Sequence, residues 1–173
     1  MKNNLIAAAL LAASAFASVA NAADGTLNFT GVVTDDACTI TPGTATQTVA
    51  LGTVSSGALT AVGDSASPTA FDIVLTACPA AVTSATVKFD GPANPDDSSL
   101  LALTTVTGVA TGVGIGFYEQ DASTLIPVGS TSASKALSAT ADTTFSYIAK
   151  FVAAGPVIAG AANAVSDFTI NYN

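Results

Sequence analysis

The stretch GTLNFTGVV, residues 25–33, alternates through its centre. Leu27, Phe29, Gly31 and Val33 fall on one side of an extended chain, and Asn28, Thr30 and Val32 fall on the other. Successive side chains of a strand point to opposite faces, so this pattern predicts an amphipathic β-strand. Its place in the chain is unusual, because domain ends are commonly loose. Upstream lie a basic Lys2, an apolar run over residues 5–19 broken only by Ser14 and Ser18, and then Ala20, Asn21 and Ala22. A charged start, a short apolar centre and small residues at a cleavage position describe a secretory signal peptide over residues 1–22. The strand would then open the mature chain, which begins at Ala23.

Downstream, runs rich in Val, Thr, Phe and Ile predict strands over residues 48–51, 71–76, 86–89, 100–106, 113–119, 143–152 and 167–172. Turn clusters separate them, among them Pro42-Gly43, Gly63-Asp64, Gly91-Pro92 with Asn94 to Asp97, and Gly155-Pro156. Three runs alternate cleanly and put one-sided sets on a sheet: Phe71, Ile73 and Leu75; Tyr147, Ala149 and Phe151; Phe168, Ile170 and Tyr172. Short strands at this spacing in one domain predict an all-β sandwich. One short helical turn is expected near residues 161–164.

The side chains argue against chemistry. With no His, the commonest general base and metal ligand is missing. Asp96 and Asp97 stand in a Pro- and Ser-rich turn and read as a solvated turn ahead of a weak calcium site. The glycines 112, 114 and 116 lack the G-x-G-x-x-G spacing and read as a softened strand start. Asn28, Phe29 and Thr30 match the N-glycosylation triplet by chance, inside a predicted strand. No catalytic residue, cofactor or metal is expected. The mature chain would set Lys88, Lys135 and Lys150 against twelve acidic residues with no Arg, which opposes binding to nucleic acid or anionic lipid. Beyond the leader, no apolar run approaches the ~20 residues of a membrane span. Cys38 and Cys78 travel to an oxidising compartment, where pairing is the default.

Both ends of the mature chain are amphipathic strands that carry little protection. Residues 25–34 contain neither charge nor proline, and neither do residues 168–173. An unguarded strand at a terminus is a template for pairing with another chain. The plainer alternative makes both of them edge or interior strands of a self-contained sandwich.

In order along the chain come the 25–33 segment shortly before Cys38, Val49-Ala50-Leu51-Gly52, Phe71 to Leu75 with Cys78, and Val87 to Gly91. There follow Gly112-Val113-Gly114-Ile115, Ala149 to Ala153, Gly160 to Ala164, and a closing Phe168-Thr169-Ile170-Asn171-Tyr172. This series resembles type 1-family fimbrial subunits of the chaperone–usher class over essentially the whole mature chain. Lys150 and Phe151 stand where that family more often has Arg and Tyr.

The resemblance implies an incomplete immunoglobulin-like β-sandwich of six strands, residues 36–173, preceded by an N-terminal extension over residues 23–35 that serves as a donor strand. Leu27, Phe29, Gly31 and Val33 would point inward, with Gly31 at the small-residue position, and Phe168, Ile170 and Tyr172 would line the acceptor groove on the C-terminal strand. It implies a structural subunit of an adhesive surface pilus, of the shaft, which polymerises by donor-strand exchange. Its partners would be a periplasmic pilus chaperone, an outer-membrane usher and neighbouring subunits, with no nucleic acid and no direct membrane insertion. Export would lead through the periplasm to the cell surface. A minor tip or adaptor subunit is the alternative that the short extension favours. A free-standing secreted sandwich that binds carbohydrate or protein through its loops is the alternative from another class.

Overall fold

A computed structural model of the chain describes residues 27–31 and 37–173. It divides the chain into two units, Met1–Val33 and Thr34–Asn173. The expected signal peptide and Val33 lie outside the described residues.

The second unit is built on five long strands: β2 (Ser65–Thr76), β3 (Ser84–Asp90), β4 (Thr111–Glu119), β7 (Thr143–Ile158) and β8 (Asp167–Tyr172). Three two-residue strands complete it: β1 (Thr39–Ile40), β5 (Leu125–Ile126) and β6 (Lys135–Ala136). They form two antiparallel sheets, one in the order β1-β2-β7-β4-β5 and the other β6-β3-β8. The expected all-β sandwich is therefore present.

Period-two patterning decides which faces meet. On β3, Ala85, Val87 and Phe89 are buried and alternate with half-buried neighbours; on β7, Phe145, Tyr147, Ala149 and Phe151 do the same. Ile73 and Leu75 of β2 are fully covered. Between the sheets the rings of Phe89 and Phe117 stack at 4.6 Å, while Tyr147 and Phe71 meet Phe89 edge-on at 5.1 and 5.9 Å. Burying each large apolar side chain is worth about 1.5–3 kcal/mol, and such ring pairs add about 0.5–1.5 kcal/mol. The one polar atom at this centre is satisfied, because the Tyr147 hydroxyl donates to Ser132 Oγ at 3.0 Å. Ser132 Oγ also accepts from the Val87 N–H at 2.9 Å.

A wide bulge separates the β4 and β7 ladders. Thr111 pairs with Ile158 and Val113 with Ala153, so Gly112 alone faces four residues of β7 that include Gly155 and Pro156. Gly112 has φ +67°, and a Cβ there would stand 2.2 Å from the Pro156 carbonyl oxygen. The detour returns Val157 to the core side, half-buried against the apolar cluster.

Some expectations fail locally. Residues 48–51 are irregular, although Leu51 is buried. They are held near β2 by side chains, with Gln47 Nε2 donating to the Asp72 carbonyl at 2.9 Å and the Ser67 hydroxyl donating to the Leu51 carbonyl. A strand needs a ladder partner, and side-chain clamps have taken that role here. Residues 100–106 likewise form only isolated bridges, Leu101 to Ala93 and to Ile115. No helical turn forms at residues 161–164, where Val109 instead bridges Ala161 in parallel. The helical turns lie at Pro42–Ala45, where Pro at the first position suits a helix start, and at Ser56–Ala58.

Each mature-chain lysine sits on a strand with its amine engaged. Lys88 pairs with Asp90 at 2.7 Å, Lys135 donates to the Thr144 carbonyl, and Lys150 donates to the Ala122 carbonyl while lying 4.2 Å above the Tyr118 ring.

Candidate functional site

Strand β8 forms one margin of its sheet. It pairs with β3 from Ala85↔Tyr172 to Asp90↔Asp167, and its other edge meets no strand among the described residues. Asp167, Thr169 and Asn171 are exposed while Phe168, Ile170 and Tyr172 are half-buried. The same alternation continues upstream through Ala162 and Ala164. All five apolar side chains touch the core cluster without being covered by it.

A second wall faces this row. At one end the Tyr172 hydroxyl lies 3.5 Å from the Cys38 carbonyl oxygen. Cys38 is bonded to Cys78, as expected, with a sequence separation of 40. At the other end an open cleft of about 370 Å³ is lined by Val54, Leu59, Phe151, Val157, Ala159 and Ala162 among others. The segment from Cys38 to Leu59 therefore runs opposite the segment from Ala159 to Tyr172. Between the two ends, Ile40 and Val49 are half-buried against the core, as the β8 row is.

The result is an apolar groove whose walls are an unpaired strand edge and a segment fixed by side-chain clamps. Burial raises the Tyr172 phenol above its ordinary range, so this side chain is a neutral donor near neutral pH. Apolar side chains left half-covered in a continuous row, beside unpaired backbone donors and acceptors, form a surface suited to an added strand.

The expected one-sided set Phe168, Ile170 and Tyr172 lies half-buried along this strand, and the opposite wall was not anticipated. The signal for Val49 and Leu51 was present in the alternation of that run, but it was read as an ordinary strand. Val54, Leu59 and Val157 reach the groove through the Ser56–Ala58 turn and the β7 bulge, neither of which has a periodic signature. Leu27, Phe29 and Gly31, in the first unit, are irregular and exposed, with Leu27 and Phe29 at 83% and 90%. The expected strand is not formed by these residues in the single chain, which also leaves the Asn28 triplet outside any strand.

No group of three or more His, Cys, Asp or Glu side chains that could hold a metal ion occurs among the described residues. Asp97 is occupied within its turn, accepting from the Ser99 N–H and hydroxyl, while Asn94 accepts from the N–H groups of Asp96 and Asp97. No helix among the described residues is long and apolar enough to cross a membrane.

A sandwich with an open apolar groove along its last strand defines a pilin-like fold. The model of the family described as fimbrial protein matches residues 27–173, and the chain belongs to that family of structural fimbrial subunits. It is 36% identical over 170 residues to long polar fimbria protein A of Salmonella typhimurium, covering 97% of this chain and 93% of that one. It is 36% identical to the type-1 fimbrial protein subunit of Serratia marcescens, covering 99% of each. Among solved structures it resembles a subunit of a chaperone–usher pilus (TM-score 0.66, 25% identity, 87% of this chain and 96% of that one). It also resembles the type I fimbria protein of Burkholderia pseudomallei (TM-score 0.59, 34% identity, 86% and 97%). The chain is a structural subunit of a surface fimbria.

Proposed function

We propose that this subunit polymerises by lending residues 23–35 to the groove of the next copy while receiving the same segment from the previous one. The observation that carries this reading is the half-covered row of Ala162, Ala164, Phe168, Ile170 and Tyr172 along an unpaired strand edge. The leading segment offers matching chemistry, with Leu27, Phe29 and Val33 sharing one face and Gly31 requiring the least depth. Each large side chain buried would be worth about 1.5–3 kcal/mol, and each ladder hydrogen bond about 0.5–1.5 kcal/mol net. A joint of this kind is heterologous, head to tail, so it propagates as a filament when the rotation does not close.

The exposed groove calls for cover before assembly. A periplasmic chaperone that supplies a temporary strand, followed by delivery to an outer-membrane usher, fits a groove in a chain with a secretory leader. The role in the shaft is supported by 35% identity over 170 residues to a probable major fimbrial subunit of Escherichia coli. Activity as an enzyme is not part of this reading.

The test is size-exclusion chromatography of the mature chain with and without a synthetic peptide covering residues 23–35. The peptide is expected to bind and to raise the unfolding temperature, and the Phe29→Asp and Gly31→Leu peptides are expected to do neither. In the full chain those same substitutions should block polymerisation and leave chaperone binding intact. A mature chain indifferent to every peptide would refute the proposal.

A further inference from the structure

The end of the sandwich that holds the cleft is apolar at its surface and carries no charge. In the unit that begins at Thr34, the large apolar side chains exposed among the described residues are Val62, Val106, Ile158 and Val165. Each lies within four residues along the chain of one that lines the cleft: Val62 of Leu59, Val106 of Ala110, Ile158 of Val157, and Val165 of Asn163. Hydrogen bonds tie these segments together. The Gly63 N–H donates to the Ala153 carbonyl at 2.9 Å, the Thr104 N–H to the Asn163 carbonyl at 2.7 Å and the Ala110 N–H to the Ala161 carbonyl at 2.9 Å. The whole lining of the cleft falls in residues 37–63, 98–118 and 151–166, and none of these three segments contains Asp, Glu, Lys or Arg. The acids stop at the margins. Asp64 and Asp167 stand two residues beyond Val62 and Val165, and the Asp64 carboxylate is engaged by the N–H groups of Thr60 and Ala61 at 2.9 and 2.8 Å.

Exposed apolar side chains gathered at one end of a charged protein mark a surface that another molecule covers. Two observations name the occupant. Residues 23–173 set three lysines against twelve acids, so two copies repel over most of their surface and approach most closely where charge is absent. The tether between copies is also short. Four residues separate Val33 from Cys38, which the bond to Cys78 fixes in the folded body, and five steps at about 3.3 Å each span roughly 17 Å. A copy that lends its leading segment therefore holds its body against one end of the receiving groove. The end beside Tyr172 and Cys38 exposes none of the four apolar side chains, whereas the segments around the cleft expose them all.

We infer that consecutive copies meet at a second surface besides the donor strand: the folded body of one subunit rests on the uncharged rim formed by Val62, Val106, Ile158 and Val165 of the next. This contact rests on the donor reading above and adds to it a body-to-body interface between two copies of this chain. The donor strand supplies the link, and the rim contact covers apolar surface that the strand leaves open.

The test compares the full mature chain with two variants of equal added charge. Val106→Asp with Ile158→Asp places acids on the rim, at exposed positions that leave the core intact. Ala80→Asp with Ala81→Asp places them at the opposite end, on the exposed turn between Cys78 and Thr83, whose N–H donates to the Asn173 carbonyl at 3.0 Å. Polymerisation is followed by light scattering, and the groove is titrated separately with the peptide covering residues 23–35. The rim variant should polymerise slower by about tenfold or more, because an acid placed in an apolar contact must be desolvated, and should bind the peptide within about twofold of the natural chain. The Ala80 and Ala81 variant should match the natural chain in both. A rim variant that polymerises at the natural rate overturns the inference and leaves the donor reading standing, and if it has lost chaperone binding it assigns the rim to that carrier. Equal slowing of both variants also overturns it, since added charge anywhere would then suffice. So does a rim variant that loses the peptide as well, by placing these side chains in the groove itself. Failure of the peptide to bind even the natural chain removes the donor reading, and this inference with it.

Discussion

The phenolic oxygen of Tyr172 lies 3.5 Å from the carbonyl oxygen of Cys38, which joins the end of the last strand to the start of the first. At that length the hydrogen bond is weak, whereas the ring packs against the core. Tyr172→Phe is expected to change stability by less than about 0.5 kcal/mol. Tyr172→Ala should cost about 2 kcal/mol, because the packing is lost as well. Urea unfolding of the two variants separates these contributions.

The disulfide anchors the same corner. Its two cysteines are separated by 40 residues, and on loop-closure entropy a ring of that size stabilises the fold by roughly 4 kcal/mol. Reduction, or Cys38→Ala with Cys78→Ala, should lower the unfolding midpoint accordingly. It should also loosen the Cys38 side of the groove, read as faster hydrogen exchange at Thr41, whose N–H donates to the Val74 carbonyl.

Alkaline pH offers a probe of the centre. Burial pushes the Tyr147 phenol up to about 12, above its ordinary value of 10.0. The fold therefore prefers the neutral phenol. That contribution is fully present below pH ~10 and is lost as pH rises from there toward 12. Stability should fall by on the order of 2 kcal/mol across this window. Tyr147→Phe should flatten much of the slope, and Ser132→Ala should destabilise at neutral pH by about 1–3 kcal/mol by leaving the Val87 N–H and the Tyr147 hydroxyl without their partner.

Gly112 is irreplaceable on two counts, a left-handed φ of +67° and no room for a Cβ beside the Pro156 carbonyl. Gly112→Ala should cost about 3 kcal/mol or more. The β7 detour would then shift and carry Val157 out of the cleft, so the donor peptide should bind the variant more weakly. Calorimetry and peptide titration check the two effects.

Strand identity was legible where alternating side chains coincide with a ladder partner alongside, as on β2, β3, β7 and β8. The β8 bounds at Asp167 and Tyr172 emerged from pattern alone, and the Phe71, Ile73, Leu75 and Tyr147, Ala149, Phe151 sets face the core as expected. Pattern failed where backbone pairing and side-chain burial part company. Leu51 and Leu101 are buried like strand residues but sit in segments without a continuous ladder, because periodicity reports which face is covered and not which backbone is paired. The far wall of the groove was hidden for a related reason. Val54 and Leu59 flank a single helical turn, and Val157 follows a four-against-one bulge, so no fixed period connects them to β8. The last-strand half of the site needed only local alternation, and the other half needed the tertiary fold.

The placement of the lysines bears on survival outside the cell. Proteases that cut after Lys or Arg require several residues of loosened backbone around the bond. This chain contains no Arg, and Lys88, Lys135 and Lys150 all lie within ladders with their amines tethered. Its loops, where nicking ordinarily begins, present no such bond among the described residues. Trypsin-like digestion would have to wait for a strand to detach, so each completed subunit confers on the fibre a durability toward that enzyme class that derives from where its few cations sit.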